Sequence, residues 1–193
     1  MRYALIVVDV QRDFCEGGVL AASNTLSLLE PLCRFVDAAR RAGAQVVFTQ
    51  DWHPANHSSF QTQGGPWPIH CVAHSSGAEL MPPLSAELGD LVIHKGVSLA
   101  GAGYSGFEST ELAEKLAGLA ISDVAVCGIA TEYCVRATAI DAANARFKVT
   151  VLRDLIRAVQ ASAVADVLQD LAAAGIACRD YSDWLQFPGN SLR

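Results

Sequence analysis

Short apolar runs that alternate with helically spaced stretches constrain this chain more than any other feature of it. Residues 3–8 read Tyr-Ala-Leu-Ile-Val-Val, apolar without a break. A strand with one wet face alternates apolar with polar residues, so a continuous run points to a strand covered on both faces. Further strands are expected at 45–50, 91–94, 123–127, 148–152 and 176–181. Between the first two, Asn24 can cap a helix to about Arg41, in which Leu28, Leu32, Phe35, Val36 and Ala39 keep helical spacing and Gly43 marks the stop. Further helices are expected over 110–119, 132–145 and 162–174, the last ending at Gly175. Repeated strand–helix alternation implies a three-layer α/β/α, Rossmann-like fold with a six-stranded, mainly parallel sheet. A chain of 193 residues, 51% hydrophobic, suits a single domain over residues 1–193, and no repeat or linker interrupts it.

Charge and composition exclude several classes. Charged residues are 18%, the net charge is -6 and no Lys/Arg cluster appears, so a nucleic-acid partner is not expected. The apolar runs are too short to span a bilayer. Residues 1–9 mimic a signal peptide only superficially, because the apolar part is short and runs into Asp9 and Asp13 without a small-residue cleavage site. Six cysteines form no C-x-x-C pair, which favours reduced thiols and a cytoplasmic protein. The Ala-rich stretch 161–174 suits a homo-oligomer interface or packed surface equally well.

In such sheets, ligands bind beyond the carboxyl ends of the strands. Asp9 ends the first expected strand, Asp51 and His53 the second and Lys95 the third, and Cys134 follows the fourth. Gly128 breaks the run at 124–127, and Thr131 and Glu132 look like a helix start. That puts Cys134 in a first helical turn, where unpaired N–H groups favour thiolate. Asp9 can accept the thiol proton and later protonate a leaving amine, and Lys95 supplies positive charge. The plain alternative is an inert buried cysteine near an Asp–Lys pair. Convergence of four strand ends on one rim weighs against it. The loop at 51–81 is long enough to suggest function. Asp51 and His53, two apart on an extended segment, point the same way, and His70 can return as a third ligand. One carboxylate and two imidazoles leave positions open, as in a catalytic metal site, and suit zinc, iron or manganese. His57 can ligate or orient from outside, and His74 and His94 are read as structural. Cys71 should point away from His70.

Six segments in order resemble the nicotinamidase/pyrazinamidase group of the isochorismatase-like cysteine hydrolases. They are Asp9-Val-Gln-Arg-Asp-Phe14, Asp51-Trp-His-Pro-Ala-Asn-His57-Ser-Ser-Phe60, Trp67-Pro-Ile-His70-Cys71, Lys95-Gly96, Tyr104-Ser-Gly-Phe-Glu108 and Gly128-Ile-Ala-Thr-Glu-Tyr-Cys134-Val-Arg136. The resemblance implies an isochorismatase-like fold and hydrolysis of nicotinamide, and of pyrazinamide, through a Cys134 thioester. It places a triad on Cys134, Asp9 and Lys95, and one divalent metal, zinc first with iron or manganese also suited, on Asp51, His53 and His70. It implies a cis peptide between Ile129 and Ala130, an oxyanion hole from the N–H groups of Ala130 and Cys134, and Phe14, Trp67, Tyr104 and Ile129 around the substrate. Gln61-Thr62-Gln63 offers no carboxylate as a fourth ligand, which leaves water or His57. Sister amidohydrolases acting on another small carboxamide share the triad, but generally lack the Asp-x-His and Trp-Pro-x-His pair. A non-haem metal protein would leave the triad without a role.

Overall fold

A computed structural model describes residues 2–99 and 101–185. Six strands form one sheet: β1 Arg2–Val8, β2 Gln45–Asp51, β3 Leu91–Lys95, β4 Ile121–Ile129, β5 Lys148–Arg157 and β6 Ala177–Arg179. The spatial order is β3-β2-β1-β4-β5-β6, and every neighbouring pair is parallel. The unbroken apolar run of β1 now has its explanation. Leu5 and Val7 pack on the face covered by α1 (Leu26–Arg41). Ala4, Ile6 and Val8 pack on the face covered by α2 (Leu112–Gly118), α3 (Arg136–Asn144) and α4 (Val164–Ala173). A short α5 (Tyr181–Leu185) joins the α1 layer, with the Tyr181 ring 5.4 Å from that of Phe35. Each fully buried Leu, Ile or Val side chain contributes roughly 1.5–3 kcal/mol, which is why both layers stay closed.

Strand order fixes where the chemistry sits. From β1 the chain winds one way through β2 and β3, and from β4 the other way through β5 and β6. The crevice above the adjacent ends of β1 and β4 is the switch point where such sheets bind ligands. Val8 lies opposite Gly128, so Asp9 emerges beside the turn that follows Ile129.

Several boundaries differ from expectation. Gly128 does not end β4, which continues to Ile129 with Gly128 at φ +112. A Cβ there would lie 2.1 Å from the Val8 carbonyl oxygen, so glycine permits the close approach of β1 and β4. Gly128→Ala is therefore expected to lose at least the 1–3 kcal/mol or so of a misfitted backbone conformation, read as a lower urea midpoint. An unchanged midpoint would contradict this packing.

β5 runs past Leu152 to Arg157, because Leu155 and Ile156 return to the core after the polar pair Arg153-Asp154. β6 stops at Arg179 rather than including Tyr181, whose N–H is taken by Asp154 Oδ1 at 3.0 Å as α5 begins. α1 starts at Leu26 rather than from Asn24, which is left-handed at φ +56. The Thr25 hydroxyl beside it accepts the Glu16 N–H, not a helical one. At the start of α2, Thr110 donates its hydroxyl proton to the Gly106 carbonyl at 2.6 Å, and the helix opens later, at Leu112. Cys134 stands in a π-turn, Thr131–Val135, that precedes α3, rather than in the first turn of a regular α-helix.

Candidate active site

Asp9, Lys95 and Cys134 meet at the switch point. Asp9 (left-handed, φ +46) follows β1 and is fully buried, its Oδ1 accepting the Thr49 hydroxyl at 2.7 Å. Lys95 ends β3, fully buried as well. Its ammonium lies 2.8 Å from Asp9 Oδ2, 2.5 Å from Asp51 Oδ1, 2.8 Å from the Gly103 carbonyl and 3.5 Å from Cys134 Sγ. Burial alone would drive that ammonium toward neutrality, but Asp51 and Asp9 hold its pKa well above the ordinary lysine value. Burial pushes the Asp9 carboxyl up, with Lys95 pulling against it.

Burial also pushes the Cys134 thiol well above its usual range; Lys95 opposes this, while Asp9 and Asp51 reinforce it. Burial and the two carboxylates, with a hydrogen bond to Asp9, thus favour the thiol over the thiolate expected from the helix-start position. Two carboxylates against one ammonium in a dry site outweigh the field of a single turn.

The second group is Asp51, His53 and His70, whose ligand atoms all lie within 4.8 Å of one another. His53 Nδ1 is 2.9 Å from the Gly96 carbonyl, and His70 Nδ1 is 2.8 Å from the Pro68 carbonyl. A carbonyl only accepts, so both Nδ1 atoms carry the proton and both Nε2 atoms present lone pairs. Those Nε2 atoms face Asp51 Oδ2, at 3.4 Å and 3.9 Å. Burial holds the His70 ring below its ordinary pKa, with the Pro68 carbonyl and Asp51 opposing. Three acceptors converge with no donor among them, and that arrangement fits a divalent cation.

Gly96 belongs to this cradle, since a Cβ on it would meet the His53 ring at 2.4 Å. His57 is outside the three-residue group; its ring stacks on that of His53 at 4.2 Å, and its Nδ1 is 2.7 Å from Ser59 Oγ. His94 stacks flat on Trp52 at 4.1 Å and His74 meets the same ring edge-on, in keeping with structural roles. Cys71 lies away from the group, its thiol 3.8 Å from the Gly77 carbonyl.

A pocket of about 540 Å³, counted to its open mouth, joins the two groups. Phe14, Trp67 and Tyr104 line it, as does Ala130. Trp67 Nε1 donates to the Tyr104 hydroxyl at 3.1 Å. Ile129 is not at the substrate position expected of it: its side chain is fully buried in the α1-facing core, because successive residues of a strand point to opposite sides. The peptide between Ile129 and Ala130 is cis.

Other contributors escaped the sequence reading. Tyr133 lines the pocket and meets Trp67 edge-on at 5.3 Å; its place beside Cys134 was the available signal. Leu20 and Val159 line the pocket from loops that carry no motif. Gln11 grips the Asp51 backbone, donating to its carbonyl and accepting its N–H, each at 2.9 Å. Its position between Asp9 and Asp13 hinted at this. Asp13 accepts the Cys71 N–H at 2.7 Å, anchoring the loop that returns His70.

Known proteins share this arrangement of chain. The nicotinamidase of Escherichia coli is 36% identical over 209 aligned residues, covering 96% of this chain and 98% of that protein. The pyrazinamidase of Pyrococcus horikoshii, solved in complex with zinc, superposes with a TM-score of 0.90 at 39% identity, covering 93% of this chain and 99% of that one. PnC1 from L. infantum, solved with nicotinate, gives 0.85 at 37% identity, covering 94% and 93%. The isochorismatase domain model matches residues 3–183, nearly the whole of the described sheet and its helices, and the chain belongs to that family, on its nicotinamidase/pyrazinamidase side.

Proposed function

We propose that the chain, acting as one hydrolase domain over residues 1–193, is a metal-dependent cysteine amidohydrolase that converts nicotinamide to nicotinate and ammonia, and pyrazinamide to pyrazinoate by the same route. The observation that carries this reading is the Lys95 ammonium. It touches Asp9 and Asp51 and approaches Cys134 at the base of an aromatic-lined pocket, so one cation ties a thiol and its base to the three-acceptor group.

Phe14, Trp67 and Tyr104 hold the flat ring. Asp51, His53 and His70 would hold a divalent metal, zinc by preference with iron and manganese also suited, and when bound it would supply Lewis-acid chemistry toward the substrate ring. Asp9 takes the Cys134 proton as sulfur bonds to the carboxamide carbon. The carbonyl oxygen gains charge against the N–H groups of Ala130 and Cys134. The Ala130 carbonyl accepts from Tyr133 and Val135 on either side of Cys134, a closure that does not involve the Cys134 N–H. Asp9 then gives its proton to the departing nitrogen, leaving a thioester and ammonia. Water attacks the thioester, with Asp9 as base, and nicotinate leaves with the thiol restored. A cytosolic setting fits six unpaired thiols and a set of described helices none of which is long and apolar enough to cross a membrane.

The test is ammonia release from nicotinamide by the purified protein, with and without chelator. Release abolished by chelation is expected; none with metal present would sink the reading. Asp51→Ala should lose the metal by elemental analysis, and retained metal would move the site elsewhere.

A further inference from the structure

Glu132 is the one acidic side chain in the π-turn that carries Cys134, and the reaction above gives it no role. Its carboxylate does not face the pocket. It reaches the segment after β5, where Oε1 accepts the Gln160 N–H at 2.8 Å and Oε2 the Val159 N–H at 3.3 Å. Two successive N–H groups on one carboxylate make a fork that fixes the backbone of both residues. That segment is bound on its other side as well. The Ala158 carbonyl accepts the Ser23 N–H at 3.0 Å, and the Arg157 guanidinium donates to the Asn24 carbonyl at 3.1 Å. Residues 157–160 are therefore a strap between the nucleophile turn and the loop at 20–25.

The strap and the loop each place one branched aliphatic side chain in the pocket, Val159 and Leu20. Val159 is 40% exposed, so no core packing holds it there; its position depends on the backbone under it.

We propose that Glu132 is a positioning residue that sets substrate selectivity. It fixes the strap to the turn of Cys134, and so holds Val159, which with Leu20 forms a wall that limits the size of the aromatic amide. The inference rests on the hydrolase reading. It assigns the wall to a contact outside the triad and the metal group, so loosening it changes which ring is accepted more than how fast the bond breaks.

The experiment compares nicotinamide with ring-methylated nicotinamides in wild type, Glu132→Ala, Glu132→Gln and Val159→Ala, all metal-loaded. Glu132→Ala should raise KM for nicotinamide by about tenfold, a loss typical of one charge-assisted contact, with kcat changed far less. It should also narrow the preference for nicotinamide over its methylated forms. Glu132→Gln, which keeps one acceptor oxygen, should recover part of the KM. Val159→Ala, at a half-open position that does not threaten folding, should relax selectivity in the same direction and add little in the Glu132→Ala background. An active wild type with KM and selectivity unchanged in Glu132→Ala overturns this inference alone, as does a fall in kcat with KM unmoved. A wild type that releases no ammonia overturns the hydrolase reading and takes this one with it.

Discussion

Replacing Cys134 by alanine is expected to lower ammonia release from nicotinamide by about 10⁴-fold or more, the loss usual when a nucleophile is removed from a triad. The metal content should stay at the wild-type level. These outcomes separate because Cys134 comes from the turn after β4, whereas Asp51, His53 and His70 come from β2 and the loop that follows it. The substitution removes one sulfur at a site 6% exposed and keeps the backbone N–H of residue 134, so the fold has little reason to change. Mass spectrometry of wild type quenched during turnover should show the mass of a nicotinoyl adduct, absent from Cys134→Ala. A variant of full activity would remove Cys134 from the chemistry.

Lys95→Met is expected to cost stability as well as activity. The ammonium is the cation between two buried carboxylates, Asp9 and Asp51, in the described structure. Removing one partner of a buried pair typically costs about 3–5 kcal/mol, because the charge left behind has lost both water and its counter-ion. Chemical denaturation at neutral pH should show a deficit of that order. Its pH dependence has a definite sign. Burial would raise the Asp51 carboxyl, but Lys95 and His53 hold it well below the ordinary range. That stabilisation is complete above the unfolded carboxylate pKa of about 3.9, and is lost as pH falls through the folded value. The raised Lys95 pKa contributes stability present below the unfolded lysine value of about 10.4, lost as pH rises through the folded one. In Lys95→Met the two acids lose their counter-charge, so their folded pKa values move up. The deficit should be largest at neutral pH and shrink toward acid, where protonated carboxyls need no cation. A deficit independent of pH would point to lost packing instead.

The β–α alternation, the face-alternating β1 and the convergence of Asp9, Asp51, Lys95 and Cys134 were legible because each follows from local pattern and from one topological rule. The Asp51–His53 pair was legible from spacing on an extended segment, with His70 returning from the loop that follows. What escaped depends on partners distant in the chain. Tyr181 starts a helix because Asp154 takes its N–H. Gly128 looks like a strand breaker until Val8 lies against it. Ile129 looked like a substrate contact because it belongs to the motif, but strand alternation turns its side chain into the core. The resting state of Cys134 depends on the balance among Lys95, Asp9 and Asp51, a sum over three strands that no single motif contains.

The seam between β1 and β4 also divides the site by its order of synthesis. Asp9, Asp51, His53, His70 and Lys95 all precede β4, and β2 pairs with both β1 and β3 without it. Those five residues are therefore encoded in the part of the chain that leaves the ribosome first, while Cys134 follows β4, which pairs with β1. Cys134 is thus the last of these residues to be encoded, with β5 and β6 still to follow. A break anywhere between β3 and β4 would leave Asp9, Asp51, His53, His70 and Lys95 on one fragment and Cys134 on the other, joined across the sheet by the pairing of β1 with β4.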